Sequence, residues 1–290
     1  MLGREKMKKH KFIKKLIAAV GILAVGAVTL TACSNNSSSN SSSNNPSSVA
    51  AIKKRGTLKV AVFGDLPPYG WVNKDGKRVG YDVRLARELA KEMGVKVKFV
   101  QVNANNRVDT LNANKADIVL ANFTVTSERK QVVDFAKPYM KVSVGVVSPK
   151  SKPITNVNQL KGKKVIVTKG TTAENYFTSK QPDVDLLKFD SKTQQFNAMK
   201  NGRAAALADD NSYLYAWVKN NPKYTVGIKH LGPNSYIAPA VKKGNKSLLD
   251  WTNKHINKFN KDGFFVNDYN QELKPYFGDD VKPSDIIINK

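Results

Sequence analysis

Hydrophobic and polar positions follow two different periodicities in the body of the chain. Residues alternate in the manner of strands over Leu58–Phe63 and again over Lys96–Val102. Between them, apolar residues recur at helical spacing from Val83 to Met93. Glycine is typical just after the last turn of a helix, so Gly94 marks the predicted end of this one. The pattern therefore predicts a strand, a helix and a second strand in succession.

A second set of the same kind follows along the chain. Shorter signals predict a helix at Val108–Asn114, a strand at Ile118–Leu120, and then strands at Lys164–Val167, Leu186–Phe189 and Ala205–Ala208, with helices from about Ala173 and near Thr193–Asn201. Extended segments at Val142–Val147 and Ile237–Val241 separate the two sets, and the last predicted helix carries Leu248, Thr252, Ile256 and Phe259 on one face. This order predicts an α/β protein of two units joined by two extended crossings.

The first 32 residues have the pattern of an export signal. Residues 1–15 are rich in lysine, and Leu16–Ala32 is an apolar run. Such a basic segment before a short apolar one is typical of a secretory signal peptide, with Met1 or Met7 as the start. A membrane anchor that is retained is the alternative, although the run is slightly short for a spanning helix.

The lone cysteine of the chain comes directly after this run. The sequence Leu30-Thr31-Ala32-Cys33 resembles the bacterial lipobox, in which the cysteine becomes lipidated. Residues 34–48 are almost entirely serine and asparagine, from which no core can form. We therefore predict a signal peptide at 1–32, a lipidated Cys33 with a polar tether at 33–49, and a folded body from residue 50.

Charge and composition narrow the classes of partner. The chain of 290 residues carries a formal net charge of +25, of which residues 1–32 hold +6, so the remainder carries +19. The lysines are scattered and accompany no nucleic-acid-binding motif, so we expect no nucleic acid partner. Attraction to cell-wall or host polyanions or to lipid headgroups stays open. One cysteine and three histidines favour neither a disulfide framework nor a metal site, and we expect no cofactor.

Four segments resemble a known family in order and in spacing. They are Gly80-Tyr81-Asp82-Val83, the run Ala121–Arg129, Lys169-Gly170-Thr171-Thr172-Ala173-Glu174, and Ala208-Asp209-Asp210-Asn211. They resemble the polar amino acid-binding proteins of ABC importers, the solute-binding proteins of family 3. The resemblance implies a two-lobed, periplasmic-binding-protein-like fold of type II with a hinge of two crossing strands. It also implies a monomer without enzymatic activity, tethered by its lipid on the outer face of the cell membrane, which serves a permease and its ATPase.

The resemblance also suggests the lobes and the ligand. The first lobe is predicted at 50–142 and 237–290, and the second at 143–236. Phe63–Gly70, Tyr139–Val142 and Val241–Gly244 are similar to the cysteine- and cystine-binding branch. Cystine or cysteine is therefore the first choice of ligand, followed by glutamate or aspartate and by glutamine.

A free amino acid is a zwitterion, so its site must offer a cation and an anion. Arg129 is the candidate for the carboxylate, because a guanidinium binds it through two parallel hydrogen bonds. Thr126 can cap a helix that begins at Ser127, which puts Arg129 in the first turn, and Thr124 adds a donor. By spacing alone, the alternative for Arg129 is a surface ion pair, but the resemblance to the family favours the binding role. Asn122, in the same segment, is also predicted to bind the ligand.

The remaining candidates lie in the second half of the chain and in the aromatic segments. Thr171 and Glu174 form a predicted capping box, so a helix should begin at Thr171 and Thr172. The free N–H groups of that helix suit a carboxylate, which makes both threonines candidates. The alternative is that they only start the helix. Asp210 ends a predicted strand and is the candidate for the ammonium group; a turn or helix cap is the alternative. Weaker candidates are Asp209, Asp65, Tyr69 and Phe123.

Two other functions remain open at this level. A surface adhesin that binds polyanions or host matrix is compatible with the positive charge. A dehydratase of the same fold needs an acid above the ligand, for which Glu174 is the nearest candidate.

Overall fold

The computed structural model describes residues 45–277 and 281–288. The predicted signal peptide, Cys33 and residues 34–44 of the predicted tether lie outside the described residues. None of the described helices has the length and apolar character that crossing a membrane requires.

Strands and helices alternate through most of the described chain. The strands are β1 Thr57–Val62, β2 Asp65–Leu66, β3 Gly70–Val72, β4 Arg78–Val79, β5 Lys96–Gln101, β6 Ile118–Val119, β7 Val133–Phe135, β8 Met140–Pro149, β9 Lys164–Thr168, β10 Asp185–Phe189, β11 Ala206–Asp210, β12 Tyr224–Ile237 and β13 Ala240–Lys242. The helices are α1 Val49–Arg55, α2 Tyr81–Met93, α3 Arg107–Asn112, α4 Ser127–Val132, α5 Thr172–Lys180, α6 Lys192–Lys200, α7 Asn211–Lys219, α8 Lys246–Lys261, α9 Phe264–Asp268, α10 Lys274–Phe277 and α11 Pro283–Ile286.

The first lobe is built on a five-stranded sheet in the order β5-β1-β6-β13-β7. Strand β1 pairs in parallel with β5 and β6, and the returning β13 pairs antiparallel with β6 and β7. The predicted apolar face of α2 is buried here, from Val83 to Met93, and the helix ends at Gly94 in the left-handed conformation. The carboxyl ends of β1 and β6 therefore meet at one edge, where ligands of α/β sheets bind.

The second lobe is built on another five-stranded sheet, in the order β10-β9-β11-β8-β12. Strand β9 pairs in parallel with β10 and β11, whereas β8 runs antiparallel to β11 and β12. Separate apolar clusters cover its two faces. The chain enters this lobe through β8 and leaves it through β12, whose ends pair at Met140 and Ile237. The two crossings thus lie side by side as the hinge that was predicted.

The folded body begins earlier than the sequence suggests. Ser47, inside the predicted tether, is buried, and its hydroxyl donates to Asp117 Oδ1 at 2.6 Å. Arg55 at the end of α1 donates to Asp117 Oδ2, also at 2.6 Å, and Asn245 donates to the carbonyl of Ser47 at 2.8 Å. Residues from Asn45 onward are therefore part of the first lobe, because this buried carboxylate fixes the segment before α1.

Helices α9 to α11 were not predicted from the sequence. Phe265, Phe277 and Ile286 of this segment are buried in the core of the first lobe, and Met140 forms a single bridge with Ile287. The end of the described chain therefore packs beside the hinge. These helices are difficult to predict from the sequence, because they are too short to show a helical periodicity of apolar residues.

Candidate functional site

The site lies where loops at the ends of the strands of both lobes meet. A small cavity of about 10 Å³ is lined by Phe63, Ala104, Arg107, Asn122, Thr124, Arg129, Thr171, Thr172, Lys192, Asp210 and Tyr213. Six of the predicted residues line it: Asn122, Thr124, Arg129, Thr171, Thr172 and Asp210. A larger groove of about 800 Å³ shares none of these residues and is lined instead by β12, α7 and the C-terminal segment. The charged strand-end residues make the small cavity the candidate site.

Asn122 is held in an unusual backbone conformation at the edge of the first lobe. Its φ of 45° is left-handed, which asparagine tolerates better than most residues. Its N–H donates to the buried Asp82 at 3.0 Å, and Asp82 also accepts the hydroxyl hydrogen of Tyr139 at 2.6 Å. Burial raises the pKa of Asp82 to about 6, although these hydrogen bonds and Arg107 lower it. Asp82 was quoted in the family segment, but the sequence did not reveal this positioning role.

Two arginines of the first lobe lie beside the ring of Phe123. The guanidinium carbons of Arg107 and Arg129 are 4.3 and 4.8 Å from the ring centroid. Arg129 sits in the first turn of α4, with its N–H bonded to Thr126 Oγ1 at 3.2 Å, as the spacing predicted. Burial lowers the pKa of Arg129 to about 10, while Asp210 raises it, so the group is charged at neutral pH.

Arg107 was missed at the sequence level. It is almost fully buried at the start of α3 and donates to the carbonyls of Ala104, Ala121 and Asn122 at 2.9 to 3.1 Å. Burial and the nearby Arg129 lower its pKa. An arginine in an otherwise ordinary short helix after a strand was the available signal, but its spacing does not distinguish it from a surface arginine.

Gly170 brings the second lobe against these arginines. Its carbonyl accepts from Arg129 at 2.9 Å and from Arg107 at 3.1 Å. A Cβ added at this glycine, whose φ is 74°, would lie 2.8 Å from the Cα of Asn105, so the approach requires glycine. Residues 104, 105 and 170 thus bring the two lobes into contact.

The start of α5 follows directly. Thr171 caps the helix by accepting the N–H of Glu174 at 3.2 Å, as predicted. The reciprocal half of the capping box differs from the prediction, because the Glu174 carboxylate accepts from the N–H of Gly170 at 2.7 Å. It also pairs with Lys188 at 3.0 Å. Glu174 therefore organises the loop, which leaves it a poor candidate for a catalytic acid.

Asp210 ends β11 and occupies the N-cap position just before α7, but its side chain makes no capping hydrogen bond. It accepts instead from Asn122 Nδ2 at 2.8 Å across the lobes and from Thr172 Oγ1 at 3.3 Å. Burial raises the pKa of Asp210 to about 6; Asp209 adds to this, and Lys192, Arg129 and Arg107 oppose it. The alternative of a helix cap therefore does not explain where this carboxylate points.

Asp209 does not line the cavity. It is fully buried, and both of its oxygens are occupied: Lys192 Nζ donates at 2.5 Å and Gln195 Nε2 at 2.6 Å to Oδ2, while the Tyr213 hydroxyl and the Asp210 N–H donate to Oδ1. The ligand-binding role predicted for Asp209 does not fit this arrangement. Lys192 itself lines the cavity, and nothing local in the sequence pairs it with a residue 17 positions away.

The other predicted residues support the site from outside. Tyr69 is buried edge-on against Tyr213, with ring centroids 6.1 Å apart. Phe123 was predicted to contact the ligand, but its ring packs against the two guanidinium groups. The phenylalanine that lines the cavity is Phe63. Asp65 accepts the N–H of Thr193 at 3.1 Å and so bridges the lobes rather than facing a ligand.

The arrangement suits a small zwitterion. Arg107 and Arg129 supply fixed positive charge from one lobe, and Asp210 supplies a fixed negative charge from the other. Asn122 Oδ1 is buried without a hydrogen-bond partner among the described residues, so it can accept from an ammonium group. Direct contacts such as that of Asn122 with Asp210 close the cavity between the lobes.

Comparison with known proteins identifies the family. The model for bacterial extracellular solute-binding proteins, family 3, matches residues 58–278. The ABC transporter glutamine-binding protein GlnH of Bacillus subtilis is 31% identical over 232 residues, covering 78% of this chain and 85% of the relative.

Solved structures give higher identity. The solute receptor for L-cysteine of Neisseria gonorrhoeae is 51% identical, with a TM-score of 0.82, and the match covers 83% of this chain and 99% of that one. The cysteine-binding protein of Campylobacter jejuni is 47% identical at the same TM-score and coverage. These similarities bear out the two-lobed α/β fold that the sequence motifs implied.

Proposed function

Because the chain belongs to the bacterial extracellular solute-binding proteins of family 3, we propose that it captures a small polar amino acid between its lobes and delivers it to the permease of an ABC transporter. The observation that carries the proposal is the division of charge across the cleft. Arg107 and Arg129 belong to one lobe and Asp210 to the other. A ligand that binds both sides makes its full contacts only when the lobes are closed.

Cysteine or cystine is the proposed ligand, with glutamate, aspartate or glutamine next. Two cysteine-binding neighbours at 51% and 47% identity support this order. Phe63 and Tyr213 add aromatic surface to the cavity. Arg129 and Thr124 are assigned to the carboxylate together with the start of α5, and Asp210 and Asn122 to the ammonium group.

A thermal-shift panel of free amino acids on residues 45–290 tests this proposal. A ligand at one hundred times its dissociation constant adds about 2.7 kcal/mol of stability, which a melting curve resolves easily. We expect L-cysteine or L-cystine to give the largest shift. A panel in which no amino acid shifts the curve contradicts the proposal.

Closure has its own measurement. Lys91 lies on α2 of the first lobe and Lys180 at the end of α5 of the second, and both are exposed. Spin labels at these positions should approach each other when ligand is added. A ligand that binds tightly and leaves the distance distribution unchanged contradicts delivery by closure.

Lipid anchoring at Cys33 is part of the proposal. The diacylglycerol of a lipoprotein supplies two acyl chains, about what stable anchoring requires. Cys33→Ser should release a folded protein from the membrane fraction, with an unchanged melting temperature. A variant that still needs detergent for its release contradicts the lipid anchor.

Polyanion binding is a second candidate, and one surface favours it. The 800 Å³ groove is lined by Lys141, Lys150, Lys219, Lys229 and His230, with Asp285 opposing them. Binding of cells through this groove should weaken with salt and should persist in Arg129→Ala. Cell binding that is insensitive to salt contradicts it.

A further inference from the structure

The buried charges around the cavity are balanced. Within residues 45–277 and 281–288, the cations at the site are Arg107, Arg129 and Lys192, and the anions bonded to the site residues are Asp82, Asp209 and Asp210. Three positive charges therefore face three negative ones. A ligand that brings one carboxylate and one ammonium group keeps this balance, whereas a ligand with a third charge leaves that charge buried without a partner.

Lys192 and Asp209 form a buried ion pair at the wall of the cavity. Lys192 Nζ is 2.5 Å from Asp209 Oδ2 and 3.0 Å from the Tyr213 hydroxyl, and its side chain is 2% exposed. The lysine lines the cavity, while Asp209 lies behind it with no exposed surface. The ammonium group thus stands between the cavity and a carboxylate that would otherwise be available to a cation.

We infer that Lys192 determines the charge of the side chain that the site accepts, because it occupies Asp209 and so reserves the site for ligands without a cationic side chain. This inference rests on the proposed function and narrows its substrate class to amino acids without a cationic side chain. Lys192 acts as an internal substitute for the side-chain ammonium of a cationic ligand. Asp210 forms no salt bridge with a lysine among the described residues; it accepts only the neutral donors Asn122 and Thr172 and is the group left for the backbone ammonium.

Truncation of the lysine provides the test. Lys192→Ala opens the space of four methylene groups between the cavity and Asp209. A ligand with a long side chain ending in an ammonium group can then replace the missing one. We expect the affinity of L-lysine relative to L-cysteine to rise at least about tenfold, since a single buried charge pair contributes that much to discrimination. Isothermal titration with L-cysteine, L-glutamine, L-lysine and L-glutamate measures these ratios.

Two further variants make the result specific to the charge pair. Lys192→Ala combined with Asp209→Asn removes both charges and should lose the gain for L-lysine. Asp209→Asn alone leaves the lysine unpaired and should instead shift the ratio toward L-glutamate. Lys161→Ala is the matched control, because Lys161 pairs with Asp183 at 3.1 Å on the exposed surface of the same lobe, and it should leave every ratio unchanged.

The outcomes separate this inference from the proposed function. Opposite shifts in the two single variants support it. If the wild type binds neutral amino acids and Lys192→Ala leaves the L-lysine ratio unchanged, the inference is wrong and the proposed function stands. If Lys192→Ala does not fold, Asp209→Asn becomes the test. The inference is then overturned if this variant shows the same L-glutamate ratio as the wild type. If the wild type binds L-lysine as tightly as L-cysteine, the inference is wrong. If the wild type binds no amino acid, both the inference and the proposed function are wrong.

Discussion

The two halves of the cleft hold their charges in different ways. In the first lobe, backbone carbonyls hold Arg107 and Arg129, and a single ring, that of Phe123, lies beside both. In the second lobe, the charge of Asp209 is held mainly by side chains: three side-chain donors and one backbone N–H bond to its carboxylate. The carboxylate of Asp210, the next residue, is directed to the cleft. Two adjacent aspartates therefore have different surroundings: Asp209 is enclosed by its donors, and Asp210 lines the cavity.

The largest expected effect comes from the structural aspartate. Asp209→Asn leaves the buried ammonium group of Lys192 unpaired, and loss of one partner of a buried pair costs about 3 to 5 kcal/mol of unfolding free energy. Urea denaturation followed by circular dichroism measures it. Asp210→Asn is the comparison and should change stability far less. Equal loss in the two variants would mean that the roles of the neighbours do not differ.

For ligand affinity, variants of the residues that line the cavity should have larger effects than they have on stability. Arg129→Ala removes a charge-assisted partner of the carboxylate and should weaken binding by about 2 to 5 kcal/mol, with Asp210→Asn close behind. Lysine at position 129 should restore little, because it lacks the paired donors of a guanidinium. Titration calorimetry of each folded variant decides the matter. Binding within a factor of three of wild type in both variants would mean that the site is wrongly placed.

Acid should weaken binding through the second lobe first. The pKa of Asp210 is raised to about 6, so below that pH the carboxylate gains a proton and no longer attracts an ammonium group. Affinity should fall about tenfold for each pH unit below 6, since one proton is linked to each binding event. The pKa of Asp82 is also about 6, so Asp82→Asn is the control that should retain the dependence. A flat profile from pH 7 to 4.5 would contradict this.

Protein stability should follow the opposite trend over the same range. The raised pKa values of Asp82 and Asp210 mean that the folded protein binds more protons than the unfolded chain between about pH 4 and 6. These two groups therefore make the ligand-free protein more stable as the pH falls through that range. Comparing melting temperatures of the wild type and the Asp82→Asn, Asp210→Asn double variant isolates their contribution. The difference should shrink toward low pH.

The smallest effect concerns the segment before α1. Ser47→Ala removes the hydroxyl that donates to Asp117 and should cost about 1 to 3 kcal/mol, at the lower end because Arg55 and the Lys59 N–H still bond to the same carboxylate. Ligand affinity should stay at the wild-type value, since Asp117 lies at the start of β6 and the site follows its end. A loss of affinity in this variant would show coupling between the two ends of the strand.

Local pattern was enough for much of the fold. The apolar period of α2, the cap at Thr126 and the strand before Asp210 are properties of neighbouring residues, and the structure has all three. The role of Asp209 was not accessible in this way, because its partner Lys192 lies 17 residues away and the pair forms only once two elements pack. The same holds for Asp82, which reaches Asn122 across 40 residues.

Ser47 attaches the segment before α1 to one end of the sheet of the first lobe. It joins the fold through Asp117, which directly precedes β6, whereas Asn122 follows the end of that strand. The contacts of Ser47 described above all lie within the first lobe. In the proposed lipoprotein, the tether would therefore be attached to the first lobe and would not involve the hinge.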